Sequence, residues 1–308
     1  MNWIKLTGVG GATAFMAVAF GTNLGSANDF NGVIFGNVSA QSGESDGALA
    51  VGGNFTVQNN YQVSINGAAA NPTIGGATNL GLYVGGNVGA GQNPGSLQVN
   101  NGRNAYVGGS VTGTPTMNGG TLFTNSGLVT PTFFAQQLSY STFQSSLLAG
   151  LGGGAVNTSN PNNYSITLSN VGGLNVFAIN GALLSGGKTL DVIGGNGTET
   201  IVFNVSGSTV NWGTNFNGST TRTLWNFYEA TTLNVNERLL RGSALAVGAT
   251  VNQGQNIDGT LIASNLNVSN GAELHWHEFE GVTPVPEPLT LVGFGIALVA
   301  VRRRKRAA

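Results

Sequence analysis

From residue 30 to 125 apolar and polar positions alternate in short runs, each closed by glycine or asparagine. That two-residue period marks strands with one buried face. Phe55 and Val57, then Tyr61, Val63 and Ile65, fall on single sides of such strands. The segments Val51-Gly52-Gly53-Asn54, Val84-Gly85-Gly86-Asn87 and Val107-Gly108-Gly109-Ser110 follow strands ending in Ala50, Tyr83 and Tyr106, at intervals of 33 and 23 residues. The repeat is irregular, with loops of variable length. Glycine pairs suit corners, where either a positive φ or close stacking of one rung on the next excludes a Cβ. A rung cannot bury its apolar face alone, and stacking supplies the core. The expected fold is therefore all-β, an irregular right-handed β-solenoid, with a β-sandwich as the alternative.

The period changes after Thr130-Pro131, an N-cap followed by a first helical residue. Phe133, Tyr140, Phe143, Leu147 and Leu151 then lie at helical spacing, and the glycines from Gly150 to Gly154 end the run. This predicts one amphipathic helix flanking the β body. Strands resume with Ser165–Leu168, Val176–Ile179, Thr200–Val205 and Leu224–Phe227, and residues 243–279 add three rungs, the last being Glu273-Leu274-His275-Trp276-His277. No linker rich in proline or charge interrupts residues 28–281, so they form one domain.

Both ends carry export features. Lys5 is the only charge before an apolar stretch from Leu6 to Phe20, and Gly25-Ser26-Ala27 offers small residues where signal peptidase reads, so residues 1–27 are expected to be a signal helix cut after Ala27. Residues 282–308 begin with a short spacer and the motif Val285, Pro286, Glu287, Pro288. An uncharged run, 289–301, follows, and then the basic cluster Arg302, Arg303, Arg304, Lys305, Arg306. Such a run partitions into lipid as a transmembrane helix while the cations resist crossing. Its thirteen residues fall below the roughly 17–25 of a comfortable span, so a thinned bilayer or snorkelling is expected. This tail resembles the PEP-CTERM sorting signal of Gram-negative bacteria. The resemblance implies an exosortase-type membrane peptidase that cuts near Pro286-Glu287-Pro288, transient anchoring in the inner membrane, and transfer to the cell surface or outside.

Composition fits export. The chain has 50 glycines, no cysteine and 7% charged residues, so hydrogen-bonded rungs rather than disulfides or salt-bridge networks must support it. Without the leader and basic tail, Arg103, Lys188, Arg222, Arg238 and Arg241 face twelve acids, a net charge of −7. A body without a basic stripe cannot displace counterions from phosphate, which disfavours nucleic acid as a partner.

The body resembles the choice-of-anchor A domain, an adhesive module of bacterial surface proteins. Asp46-Gly47-x-Leu49-Ala50-Val51-Gly52-Gly53-Asn54, Phe203-Asn204-Val205-Ser206-Gly207 and Leu224-Trp225-Asn226-Phe227 carry the likeness, with Gly242-Ser243-x-Leu245-Ala246, Asn256-Ile257-x-Gly259-Thr260-Leu261-Ile262-Ala263 and the closing Glu273-x-His275 and Phe279-Glu280-Gly281. Val247-Gly248 departs from the Ala-Pro often found in that family. The resemblance implies an adhesive or matrix role.

Chemical motifs are few. Gly43-Glu44-Ser45-Asp46-Gly47 matches a nucleophile elbow, yet a strand rather than the required helix follows it. Glu273, His275 and His277 alternate along one strand, as metal ligands would. No second segment rich in His or Cys completes a tetrahedron, so surface imidazoles beside Trp276, or a hydrogen-bonded pair at the last rung, are the preferred reading. Gly150-x-Gly152-x-x-Ala155 follows a helix instead of opening one and reads as a helix stop. No catalytic residue and no cofactor are expected. The expectation is a non-enzymatic exported protein whose β face, bearing Asn, Thr and Ser, engages polysaccharide or another surface. The alternatives are a secreted matrix hydrolase centred on Ser45 or on Glu273, His275 and His277, and an ice- or crystal-surface binder, for which regular T-x-T ranks are missing.

Overall fold

A computed structural model of the chain describes residues 2–7, 13–22, 24–90 and 96–286. Its body is a stack of parallel rungs, as the glycine corners and alternation predict, and no pair of facing antiparallel sheets is present among the described residues. Three series of parallel pairings give the rungs three sides. On the first, Val33 pairs with Ala50, Ala50 with Tyr83 and Tyr83 with Tyr106. The second carries Ser39 beside Thr56, and the third Glu44 beside Gln62.

Rung order does not follow chain order. The chain enters mid-stack at Gly32–Ile34 and moves outward through Leu49–Val51, Leu80–Val84 and Asn104–Val107 to Leu122–Phe123. It restarts at the opposite end with Gly154–Ala155 and returns through Leu174–Asn180, Thr200–Ser206, Thr223–Asn226 and Ser243–Gln253. Leu261–Val268 then closes against Gly32–Ile34 and Val38–Ser45, a seam joining the first and last rungs of the chain.

Helix α1 (Pro131–Gly150) spans the gap between the two ends. Its 20 residues measure about 30 Å, and the six rung spacings from Leu80–Val84 to Thr200–Ser206 measure about 29 Å. It begins where Tyr83 Oη accepts the Thr130 N–H at 2.9 Å, and it ends where the Asn204 amide donates to the Leu148 carbonyl at 2.7 Å. Two cores result. One fills the solenoid interior; the other lies between the helix and the outside of the first side, where Val33, Ala50, Tyr83, Leu245 and Ile262 meet Phe134 and Leu148.

The expected apolar stripe is displaced. Of the expected residues Leu147 is buried, but Phe133, Tyr140, Phe143 and Leu151 are only half-buried, whereas the buried face also holds Phe134, Gln137, Ser141, Gln144, Ser145 and Leu148. The helix is thus not amphipathic in the expected sense, because what lies beneath it offers polar partners: the Leu24 carbonyl to Gln137, Thr283 to Gln144 and Asn226 to Ser145. Asn226 donates to the Ser145 carbonyl at 2.9 Å, accepts the Ser145 hydroxyl at 2.6 Å and donates to Asn204 Oδ1 at 2.9 Å. A buried polar group stripped of its partner costs about 1–3 kcal/mol. Asn226→Ala is therefore expected to destabilise the chain by at least that much in urea denaturation, and an unchanged midpoint would exclude this role.

The glycine corners owe their composition to stacking, since none of the paired glycines has a positive φ. A Cβ on Gly52 would lie 2.2 Å from the Phe35 carbonyl oxygen, and one on Gly85 2.2 Å from that of Gly52.

The N-terminal residues differ from expectation. Asn2–Thr7 and Thr13–Thr22 are antiparallel strands, not a signal helix, and the second pairs with Val282–Pro286. A short helix is marginal away from lipid, whereas strand pairing satisfies the backbone donors and acceptors of both segments. The spacer from Val282, with Val285 and Pro286 of the motif, accordingly lies in a strand. Glu287, Pro288, the 289–301 run and the cations 302–306 lie outside the described residues, and among the described residues no helix is long and apolar enough to cross a membrane.

Candidate binding face

The second side of the solenoid presents two columns of small polar residues. Most of the short strands there read polar–apolar–polar–apolar, with the apolar side chains turned into the core; Gln253, Gly89 and Gly113 are the departures. The outer column runs Thr209, Thr232, Thr250, Asn265, Asn37, Asn54, Asn87, Ser110. Beside it run Asn211, Asn234, Asn252, Asn267, Ser39, Thr56, Gly89 and Thr112. All sixteen are at least partly exposed and none is charged. At the rung and residue spacings of parallel strands the array is about 34 Å long with columns about 6.7 Å apart.

Side chains hold the array in register. Asn234 donates to Asn211 at 2.8 Å, Asn252 to Asn234 at 2.8 Å and Asn267 to Asn252 at 2.9 Å. Each central asparagine spends one N–H and one lone pair on its neighbours, leaving one of each directed at solvent. At the corner, the Oδ1 atoms of Asn265, Asn37, Asn54 and Asn87 accept the backbone N–H of the next rung at 2.8–2.9 Å. The side chains are thus immobilised before any ligand arrives, which lowers the ordering cost of binding.

The sequence does carry a signal for these residues. Thr209-Val210-Asn211-Trp212, Thr232-Leu233-Asn234-Val235, Thr250-Val251-Asn252-Gln253 and Asn265-Leu266-Asn267-Val268 share one pattern. Intervals of 23, 18 and 15 residues obscure it. The missing T-x-T ranks are replaced by T-x-N ranks on three consecutive rungs.

The candidate chemical centres are arranged otherwise. Ser45 is fully buried, and its hydroxyl bonds Asn31 Oδ1 at 3.2 Å and the Gly47 carbonyl at 3.0 Å. The strand Leu49–Val51 follows it, so no elbow forms. Glu273 and His275 do meet, but with Asp258 in place of His277: the His275 Nε2–Glu273 and Nδ1–Asp258 distances are both 2.7 Å. With both ring nitrogens engaged, His275 has none to offer a metal, and among the described residues no group of three His, Cys, Asp or Glu side chains is arranged to hold one. Gly152, at φ 70°, ends the helix as read.

Burial works against the His275 imidazolium, but hydrogen bonds to Glu273 and Asp258, with the further negative charge of Asp46, outweigh it and raise the pKa. Nearby Glu44 is raised by burial and by the charges of Glu273 and Asp46. A raised histidine pKa favours the protonated folded state. The stabilisation from His275 is therefore full below the free value of about 6.5 and is lost as pH climbs through the raised folded value. Melting temperature is expected to fall across that window, and His275→Gln to flatten the fall; an equal slope in both chains would exclude the effect.

Comparison with known proteins bears on the whole body. In structure the chain is similar to an ice-binding protein from the Antarctic ascomycete Antarctomyces psychrotrophicus, with 12% identity, 83% of this chain and 98% of that one covered, and a TM-score of 0.40. It is also similar to a glycosylated ice-binding protein from an Arctic yeast, with 13% identity, coverage of 87% and 96%, and a TM-score of 0.28. No curated protein matches the sequence. The family described as "Putative Ice-binding-like adhesive domain" matches residues 23–276. That match takes in every rung from Gly32–Ile34 to Glu273–His275, and the chain belongs to the ice-binding-like adhesive domain family.

Proposed function

We propose that this protein is an exported adhesive module that grips hydroxyl-rich polysaccharide through the two-column side. The observation that carries the reading is the array itself: sixteen uncharged positions in register over eight rungs, with amides fixed by their neighbours. Single hydrogen bonds exchanged with water contribute little. A polymer that meets many in one pose gains by multivalency. Export rests on the leader and the tail read from the sequence, with signal peptidase and an exosortase-type peptidase as processing partners and membrane lipid as a transient one. Family membership supports the adhesive part of the reading.

The test is retention of the purified chain on the producer's own exopolysaccharide, measured by quartz-crystal microbalance. The native chain should bind, and Asn234→Lys with Thr56→Lys should reduce binding at least tenfold, because ammonium groups displace the ordered amide and hydroxyl. Failure of the native chain to bind would remove the proposal. The T-x-N ranks also favour a second reading, binding to an ice or crystal plane, and thermal hysteresis in the native chain that the same two substitutions abolish would establish it.

A further inference from the structure

We infer that the leader is cut after Ala19, in Ala17-Val18-Ala19, so that the mature chain keeps Leu24–Ala27. This rests on the export reading above. Leu24 and Ala27 are fully buried and belong to the core beneath α1, together with Phe30, Phe134, Leu148 and Phe279. The Gln137 amide donates to the Leu24 carbonyl at 3.1 Å. Gly25 has φ 66°, and a Cβ there would lie 2.9 Å from the Tyr140 ring, so the chain passes between helix and body with no room to spare. Residues 24–27 are thus part of the domain.

A cut after Ala27 would do two kinds of harm. It would remove two buried side chains and one of the two partners of the Gln137 amide, a side chain that is itself buried. It would also place a new ammonium on Asn28, which is 5% exposed and whose amide bonds Glu278 and the Phe279 carbonyl. A charge so placed carries a desolvation cost that an amide does not. The family match, which begins at residue 23, includes the same four residues.

Upstream, Ala17 and Ala19 supply small residues at both positions signal peptidase reads. The apolar segment before them, Leu6–Met16, has eleven residues, within the 7–15 or so of a signal sequence. A start at Phe20 also keeps the pairings of Phe20, Gly21 and Thr22 with Pro284, Thr283 and Val282.

The test is N-terminal sequencing and intact mass of the full chain exported from a Gram-negative host. A start at Phe20 is expected, and Ala19→Leu, which puts a bulky residue at the cut, should accumulate uncut precursor. A start at Asn28, or normal processing of Ala19→Leu, overturns the inference and leaves export standing. A native chain that still begins at Met1 and stays in the cytoplasm overturns both.

Discussion

Trp225→Ala is expected to lower folding stability by about 3–5 kcal/mol, the range for truncating a fully buried aromatic. Trp225 is 0% exposed. Its ring stacks on Phe203 at 4.1 Å between centroids and meets Trp212 at 4.6 Å and Phe216 at 5.2 Å edge-on. Phe177 extends the stack beyond Phe203. The indole N–H donates to the Arg241 carbonyl at 2.8 Å, so truncation opens a cavity and also deprives a carbonyl of its partner. The next rung offers only Ala244 at the paired position, which cannot fill the space. Tyr228, 40% exposed, is the control; its alanine variant should stay within about 0.5 kcal/mol of the native chain. A Trp225→Ala loss below about 1 kcal/mol in guanidinium denaturation would mean that this half of the interior repacks freely.

Gly85→Ala should be as damaging from one added carbon. The new Cβ would sit 2.2 Å from the Gly52 carbonyl oxygen and 3.0 Å from its carbon, both backbone atoms that no rotamer change can move aside. Relief requires the rungs to part. That breaks the bond from the Gly85 N–H to the Val51 carbonyl at 2.7 Å and disturbs the corner where Asn54 holds Asn87. The cost should reach or exceed the upper end of the roughly 1–3 kcal/mol usual for overpacking. Gly127 meets nothing within 4 Å and has no positive φ, so Gly127→Ala is the matched control. Equal melting temperatures for the two variants would show that the corner yields and that close stacking does not select glycine there.

Much of the solenoid was legible because its rules are local. Alternation sets the strands, and Val-Gly-Gly-Asn marks a corner whether or not the rung above it is known. What could not be read depends on partners distant in sequence. The fourth stacked glycine, Gly36, lies against Asn265, a contact that exists only because the last rungs fold back onto the first. The buried helix face was misassigned for the same reason. Gln137, Gln144 and Ser145 look like solvent-facing residues until their partners, the Leu24 carbonyl, Thr283 and Asn226, each more than 80 residues away, are seen beneath that helix. In the sequence Asn204 and Asn226 stand out only within the motifs of the family resemblance; in the structure they dock the helix. Strand alternation places Glu273, His275 and His277 on one face, but it says nothing of Asp258, on the neighbouring rung, which with Glu273 holds the His275 ring.

The closing of the first rungs on the last has a mechanical side. Among the described residues the chain enters the core beside α1 at Leu24, away from either tip of the stack, and Thr283, also buried, lies against Gln144 of the same helix. A tether attached beyond Pro286 would therefore pull on the flank of the rod, leaving both tips free and the asparagine-lined side clear of the leash. If the asparagine-lined side grips a surface as proposed, a rod held in this way would peel under drag as a broad patch loaded across all its rows together, unlike a fibre hung from one tip, which unzips a row at a time.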